Sequence, residues 1–187
     1  MPMLAIIFTM PARTILTVED ERLRQPAAPA EPFSPELPNL VQDMFDTMRA
    51  NYGVGLAGPQ IGVMQRIFVA EIPEERDEQG ELTHPLAGQT FVLLNPRLVE
   101  ASADTAEGEE GCLSMPGWRG LVTRPVRVRV AAQDMAGQPL EITAEDYLAR
   151  IFLHEMDHLD GVLYTDHISD QEKLWKVVEK ATANQPG

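Results

Sequence analysis

Two histidines and a glutamate near the C-terminal end of the chain could do chemistry together. The stretch FLHEMDHLDGVLYTD places His154 and His158 four residues apart, with Glu155 directly after the first. Residues four apart on a helix lie one above the other, so both imidazoles could bind one metal ion. Glu155 lies one step round such a helix, where it could contact a water on that ion. The alternative is a pair of core histidines with satisfied hydrogen bonds.

A hydrolytic metal needs a third protein ligand and a fourth position left for water. One known spacing supplies a third histidine six residues after the second, but Tyr164 occupies that position here. Cys112 is the only thiol and lies in the glycine-flanked stretch EGEEGCLSMPGW, although a lone cysteine is usually an inert buried residue. From the residues alone the third ligand stays open among Cys112, the many acids and a few further candidates: His84, His167, Glu172 and Glu179.

The histidine pair requires a helix, which the sequence predicts between Thr143 and Gly161. Thr143 with Asp146 three residues later resembles a capping box, and glycine is typical of the position where a helix ends. One stripe of this helix recurs at steps of four, three and four residues and contains Tyr147, Ile151, His154 and His158. The histidines are therefore expected on the apolar side of the helix, directed toward the core.

The remaining segments predict an α+β fold of strands with a helix packed on them. An earlier helix, ended by Gly53, has an apolar face formed by Leu40, Val41, Met44, Phe45 and Met48. QRIFVAEI predicts a strand, TFVLLNPRLVEAS a strand, turn and strand, and VRVRVAAQD a strand that DMAGQ turns back into PLEIT. Ser169 with Glu172 predicts the cap of a C-terminal helix, whose buried face contains Leu174, Val177 and Val178.

Composition limits the setting and the partners of this protein. The 187 residues carry a net charge of -14, which disfavours direct binding to nucleic acid or to anionic membranes. The single cysteine excludes a disulfide framework within the chain. The apolar run at residues 4–8 is too short for a signal core, and no stretch approaches the ~20 apolar residues that span a bilayer. These features predict a cytoplasmic protein without membrane contact.

Three motifs together resemble the peptide deformylase family: GVGLAGPQ (residues 53–60), EGCLS (110–114) and HEMDH (154–158). Their order and spacing match, as do the flanking segments ILTVEDERLR, LNP and HLDGVLYTD. The resemblance covers nearly the whole chain. It implies a single deformylase domain over 1–187, with antiparallel or mixed sheets around a central metal-binding helix and a C-terminal helix. The proline-rich segment 1–38 would precede the core, and the acidic loop 73–89 would be an insertion.

The resemblance implies roles for residues of all three motifs. It makes Cys112, His154 and His158 the metal ligands and Glu155 the base that takes a proton from water. The side-chain amide of Gln60 and the backbone N–H of Leu113 would stabilise the oxyanion. A methionine pocket is expected from Val54, Tyr147 and Ile151. Peptide-binding positions are expected at Gly55, Gly111 and Arg119. Where the family usually has alanine, this chain has Gly58, so looser packing or a closer backbone approach is expected.

The resemblance also implies a substrate, a cofactor and partners. The substrate would be the N-formyl-methionyl end of a nascent peptide, cut to formate and a free amine. One divalent ion is expected, Fe(II) in the cell, with Zn(II) or Ni(II) in purified protein. A monomer is expected, with transient ribosome contact, although its C-terminal segment is short and mixed in charge where some bacterial relatives have a basic extension. The alternatives are a metalloprotease acting on unformylated peptides and a non-catalytic module with a structural zinc.

Overall fold

A computed structural model describes residues 13–177. Within this range lie two α-helices, α1 (Leu37–Ala50) and α2 (Asp146–Leu159), and four short 3-10 helices, Glu21–Arg24, Gly58–Ile61, Tyr164–His167 and Gln171–Lys173. The eight strands are β1 (Gly55–Ala57), β2 (Ile67–Glu71), β3 (Thr90–Ala101), β4 (Thr105–Cys112), β5 (Met115–Pro125), β6 (Arg127–Gln133), β7 (Pro139–Glu145) and β8 (Leu174–Lys176). The apolar run at residues 4–8, Val178 and Glu179 lie outside the described residues.

The strands form two antiparallel sheets. The larger sheet has the order β1-β2-β3-β6-β7 and the smaller one the order β4-β5-β8. All strand pairs in both sheets are antiparallel. Two helices with antiparallel sheets make an α+β fold, which confirms the predicted class.

Strand β2 shows how the larger sheet is covered on both faces. Its residues 67–70, IFVA, are all apolar and buried, because alternate side chains enter two different cores. Phe68 and Ala70 pack in the cluster that contains Phe152 of α2. Ile67 and Val69 pack in the cluster that contains Met44 and other residues of α1. Each helix therefore covers one face of this sheet.

Helix α2 is held between the two sheets. On the side of the larger sheet the Phe152 ring packs edge-on against Phe68 and Phe91, each with centroids 5.4 Å apart. On the other side Arg150 donates to the backbone carbonyls of Gly108 in β4 and Val122 in β5. The central helix of the fold is thus fixed by apolar packing on one side and by polar contacts on the other.

The two segments singled out by composition both contact this framework. Segment 13–36 is largely irregular, and it buries Leu23, Ala27 and Ala30. The backbone N–H of Ala27 donates to the carbonyl of Leu159 at the end of α2. Loop 73–89 is mostly exposed, but Leu86 packs against the core beside α2. No helix within residues 13–177 combines the length and the apolar character needed to cross a bilayer.

Three local predictions were wrong. Thr143 does not cap α2, because β7 continues through it and the N–H of Asp146 still donates to Val126. The predicted turn in TFVLLNPRLVEAS is a register shift inside one strand, β3, with Asn95 at φ +52°. Over residues 169–177 the C-terminal helix is replaced by a 3-10 turn and by β8, which pairs with β5.

Candidate metal centre

The two histidines lie on the face of α2 that is buried against the smaller sheet. Their rings pack edge to face with centroids 5.0 Å apart, as expected for residues one helical turn apart. Both His154 and His158 are buried. The stripe that contains them starts at the surface, because Tyr147 is 42% exposed whereas Ile151 is buried.

Cys112, the last residue of β4, lies beside the two histidines of α2. Its Sγ lies 3.2 Å from Nε2 of His158. One ligand atom from each of Cys112, His154 and His158 lies within 4.8 Å of the others, and this is the one such group of potential ligands found in residues 13–177. Among the earlier candidates, His167 instead contacts Asp157, and His84 accepts a hydrogen bond from the N–H of Leu86.

The charges around Cys112 favour its thiolate, the form of cysteine that binds metals. Burial raises the pKa of the Cys112 thiol, but the charge of His158 and hydrogen bonds from both histidines outweigh it and hold that pKa well below its usual value. For His154 burial lowers the pKa, and contacts with Cys112 and Glu110 outweigh it and raise the pKa. A thiolate with two imidazoles is a typical donor set for a divalent ion such as zinc or iron(II). The residues therefore fit a resident metal.

Glu110 fixes the orientation of one ligand. Its Oε2 lies 2.8 Å from Nδ1 of His154, so this ring directs Nε2 toward the centre. Arg124 donates to both oxygens of the carboxylate at 2.9 and 3.0 Å, and Arg150 donates to Oε1 at 2.8 Å. Burial raises the pKa of Glu110, but its contacts with His154 and Arg124 outweigh it and keep the carboxyl ionised.

Glu155 lies beside the ligands and is itself buried. Burial, the largest effect on this carboxyl, raises its pKa to about 7, even though the two neighbouring histidines lower it. Its Oε2 atom has no hydrogen-bond partner among the described residues. The backbone of Gly55 passes so close that a Cβ there would lie 2.2 Å from Oε1. A side chain at residue 55 would therefore displace this carboxylate.

Gln60 is held at both ends of its side-chain amide. The N–H of Ala57 donates to Oε1 at 2.8 Å, so Nε2 faces Ser114 Oγ at 3.3 Å and Cys112 Sγ at 3.5 Å. Leu113 packs against the other end of the first motif, because Gly53 lacks the Cβ that would lie 2.7 Å from Leu113 Cδ1. The first and second motifs are therefore in direct contact.

A cleft of about 520 Å³ opens over the ligands. Its walls contain every residue that the sequence predicted for peptide binding: Val54, Gly55, Gly111, Arg119, Tyr147 and Ile151. Gln60, Leu113 and Glu155 also line it. Arg119 makes a 3.3 Å ion pair with Glu109 at the exposed edge. The structure thus brings all the predicted site residues to one cleft or its floor.

Sequence reasoning missed the roles of several supporting residues. Its position next to the histidine stripe suggested that Arg150 could reach solvent or substrate, with neither role favoured, but Arg150 donates to Glu110 instead. Glu110 directly precedes the Gly111–Cys112 pair, but its sequence gives no sign that it reaches a histidine 44 residues away. For Arg124 we find no local signal at all, since its partners come from β4 and α2.

The sequence model of the polypeptide deformylase family matches residues 12–174. This chain belongs to that family. The peptide deformylase of Thermomicrobium roseum is 44% identical over 165 residues, which are 88% of this chain and 90% of the relative.

Solved deformylase structures have the same fold. The enzyme from Ehrlichia chaffeensis is 37% identical, with a TM-score of 0.77 over 87% of this chain and 91% of its own. A Met-Ala-Ser-bound deformylase from Acinetobacter baumannii is 30% identical, with a TM-score of 0.74 over 84% and 99%. Peptide deformylases are metal-dependent hydrolases, and the three-residue ligand group of this chain is consistent with that requirement.

Proposed function

We propose that this deformylase hydrolyses the formamide at the N-terminal methionine of newly made peptides. Water adds to the formyl carbon, the C–N bond breaks, and formate and a free amino terminus are released. The observation that carries the proposal is the position of Glu155, a buried carboxylate beside a three-ligand group at the floor of an open cleft. The Met-Ala-Ser bound to the Acinetobacter relative is the kind of peptide that this reaction leaves.

Cys112, His154 and His158 would hold one divalent ion. When bound, such an ion lowers the pKa of water and polarises the formyl carbonyl. We propose Fe(II) as the ion used in the cell, with Zn(II) or Ni(II) in purified protein. A thiolate with two imidazoles suits each of these ions, so geometry does not distinguish them.

Glu155 is proposed to move the proton. Its carboxylate accepts a proton from the attacking water and passes it to the leaving amine. Burial, which raises its pKa to about 7, matches this double task, because the group then gains and loses a proton near neutral pH. Gly55 supports the role by leaving space for Oε1.

Gln60 and the backbone N–H of Leu113 are proposed to stabilise the negative charge that develops on the formyl oxygen. The amide of Gln60 cannot turn freely, because Ala57 holds its oxygen and so directs its NH2 group toward Cys112. A donor fixed in this way needs no reorganisation as the charge develops. One such donor typically contributes about 3 kcal/mol to the transition state.

The peptide is proposed to lie in the cleft as an extended strand, between segment 53–55 on one wall and Gly111 on the other. The methionine thioether would enter an apolar pocket formed by Val54, Tyr147 and Ile151. Arg119, at the exposed edge, would contact the peptide beyond its first residue.

We also propose a monomeric, cytoplasmic enzyme that contacts the ribosome transiently and does not bind nucleic acid directly. The single cysteine fits a reducing compartment, and the net charge of -14 disfavours direct binding to nucleic acid. Sedimentation of the purified protein alone and with ribosomes tests both parts. A stable dimer, or complete absence from the ribosome fraction at low salt, would contradict one of them.

Anaerobic formate release from formyl-Met-Ala-Ser, with Met-Ala-Ser as the matched peptide, tests the function. We expect one formate for each formylated peptide and no internal cleavage of either. Cleavage of the unformylated peptide would instead indicate a metalloprotease. Parallel samples loaded with Fe(II) or Zn(II) test the metal, and activity that follows zinc and ignores iron would contradict the iron proposal.

A further inference from the structure

Tyr52 follows the C-cap of helix α1 in a conformation that tyrosine rarely adopts. Its φ is +56°, in the left-handed region. The N–H of Tyr52 donates to Arg49 and that of Gly53 donates to Met48, which is the hydrogen-bond pattern of a Schellman motif. In that motif the left-handed position is usually glycine, since a side chain there costs backbone free energy. Here glycine comes one residue later, and a large aromatic residue occupies the costly position.

Packing within the described part of the chain gives no reason for this choice. The Tyr52 side chain is 97% exposed, the most exposed of the large apolar or aromatic residues described. An exposed tyrosine on a strained backbone gains almost nothing from burial. Such residues persist at binding sites more often than elsewhere. The position of the Tyr52 ring therefore indicates which ligand it could contact.

Tyr52 is one of the residues that line the cleft described above, and its exposure places it at the rim. It lies three residues before Gly55, the residue packed against Glu155. Three residues of chain span at most about 11 Å, and Tyr52 is 97% exposed whereas Glu155 is 4% exposed, so the ring lies at the rim and the carboxylate at the floor of one cleft. A peptide whose formyl group is at Glu155 must leave the cleft past this rim with the residues that follow its methionine. Pro116 and Gly117 also line this cleft.

We propose that Tyr52 is a specificity-determining residue that packs against the side chains following the methionine of the substrate. The inference depends on the formyl-peptide activity proposed above. A phenol ring offers a large contact surface at a small cost in side-chain entropy, because only two torsions must be fixed. Peptides with apolar or aromatic second and third residues are therefore favoured over peptides with glycine there.

Phe33 provides a matched control. Within residues 13–177 it is the other exposed aromatic residue with a left-handed backbone, at φ +67° and 72% exposure. Its ring packs beside Gly137 at the turn between β6 and β7, and it is not among the residues that line the cleft. Asparagine tolerates the left-handed region. Replacing each residue by asparagine therefore removes an exposed aromatic ring from the same kind of backbone position, once at the cleft and once away from it.

The test compares kcat/KM for formyl-Met-Phe-Phe-amide and formyl-Met-Gly-Gly-amide. We expect wild-type protein and the variants Tyr52→Phe and Phe33→Asn to favour the aromatic peptide about three- to tenfold. In Tyr52→Asn the ratio should fall to near one, mainly through KM. The melting temperature of Tyr52→Asn should rise by about 2–4 °C as the backbone strain is relieved.

Two results would overturn the inference about Tyr52 but leave the proposed activity intact. One is an active wild-type enzyme that does not prefer the aromatic peptide, and the other is a Tyr52→Asn variant that still prefers it. A lower melting temperature for Tyr52→Asn would also overturn it, since the tyrosine would then have a structural reason. Wild-type protein that releases no formate from either peptide would instead overturn the proposed activity itself.

Discussion

The carboxylate of Glu110 lies 2.8 Å from Nδ1 of His154, and it joins a metal ligand to two arginines from different elements. Arg124 comes from β5 and Arg150 from α2, so this single carboxylate connects both sides of the site. Partners of this kind orient a ligating histidine and raise its basicity. Metal affinity should therefore depend on a residue that does not itself bind the ion.

The first prediction concerns Glu110→Gln. We expect metal affinity to fall about 10- to 100-fold, because the His154 ring loses its charged partner. The metal-free protein should lose roughly 3 kcal/mol of unfolding free energy, since Arg124 stays buried with one partner fewer. Competition with a chelator measures the affinity, and urea unfolding measures the stability.

Glu107→Gln is the control for this experiment. Glu107 lies in the same strand, β4, and pairs with Lys173 at the surface. Its replacement should leave metal affinity unchanged. Equal affinity losses in both variants would mean that general charge, and not the contact with His154, determines the result.

The second prediction concerns Gly58, where the family usually has alanine. A Cβ at this position would lie 2.7 Å from the carbonyl oxygen of Val63 and 2.9 Å from that of Gln65. The sequence predicted either looser packing or a closer backbone approach where the methyl is missing. The structure has the closer backbone approach. Gly58→Ala should therefore cost about 1–3 kcal/mol of stability through overpacking. Thermal unfolding measures this, and a higher melting temperature in the variant would contradict the account.

The third prediction follows from burial of Glu155, which raises its pKa from 4.5 to about 7. Between these values the folded protein keeps a proton that the unfolded chain has lost. The contribution of Glu155 to stability therefore falls as pH rises from 4.5 to 7, by at most about 3 kcal/mol, and is constant above. Metal-free wild type should lose stability over this range relative to Glu155→Gln. Urea unfolding of both proteins from pH 5 to 8 measures this. If their unfolding free energies change with pH in the same way, the pKa of Glu155 is not raised and the prediction is wrong.

The sequence predicted the parts of the site that depend on local spacing. The four-residue step that places His154 and His158 on one face is a property of the helix itself. QRIFVAEI likewise predicted a strand, because its β-branched and aromatic residues favour strands locally. The position of Cys112 beside the rings is not local, and only the resemblance to a family predicted it.

The failed predictions have a common physical cause, because in each case pairing with a distant segment decided the local structure. Leu174, Val177 and Val178 have helical spacing, yet Leu174 to Lys176 pair with residues 118–120 of β5. Thr143 has the spacing of a cap but belongs to β7, where it pairs with Arg129. Glu110 and Arg124 meet only because β4 and β5 pair along their length.

The central claim is that Glu155 transfers the proton beside an ion held by Cys112, His154 and His158. Metal content and formate release measured on the same samples of wild type and Glu155→Gln test it most directly. We predict one ion per chain in both proteins and a kcat that is about 10²- to 10⁴-fold lower in the variant. A variant that keeps nearly wild-type formate release, or that loses its metal together with its activity, would contradict the account.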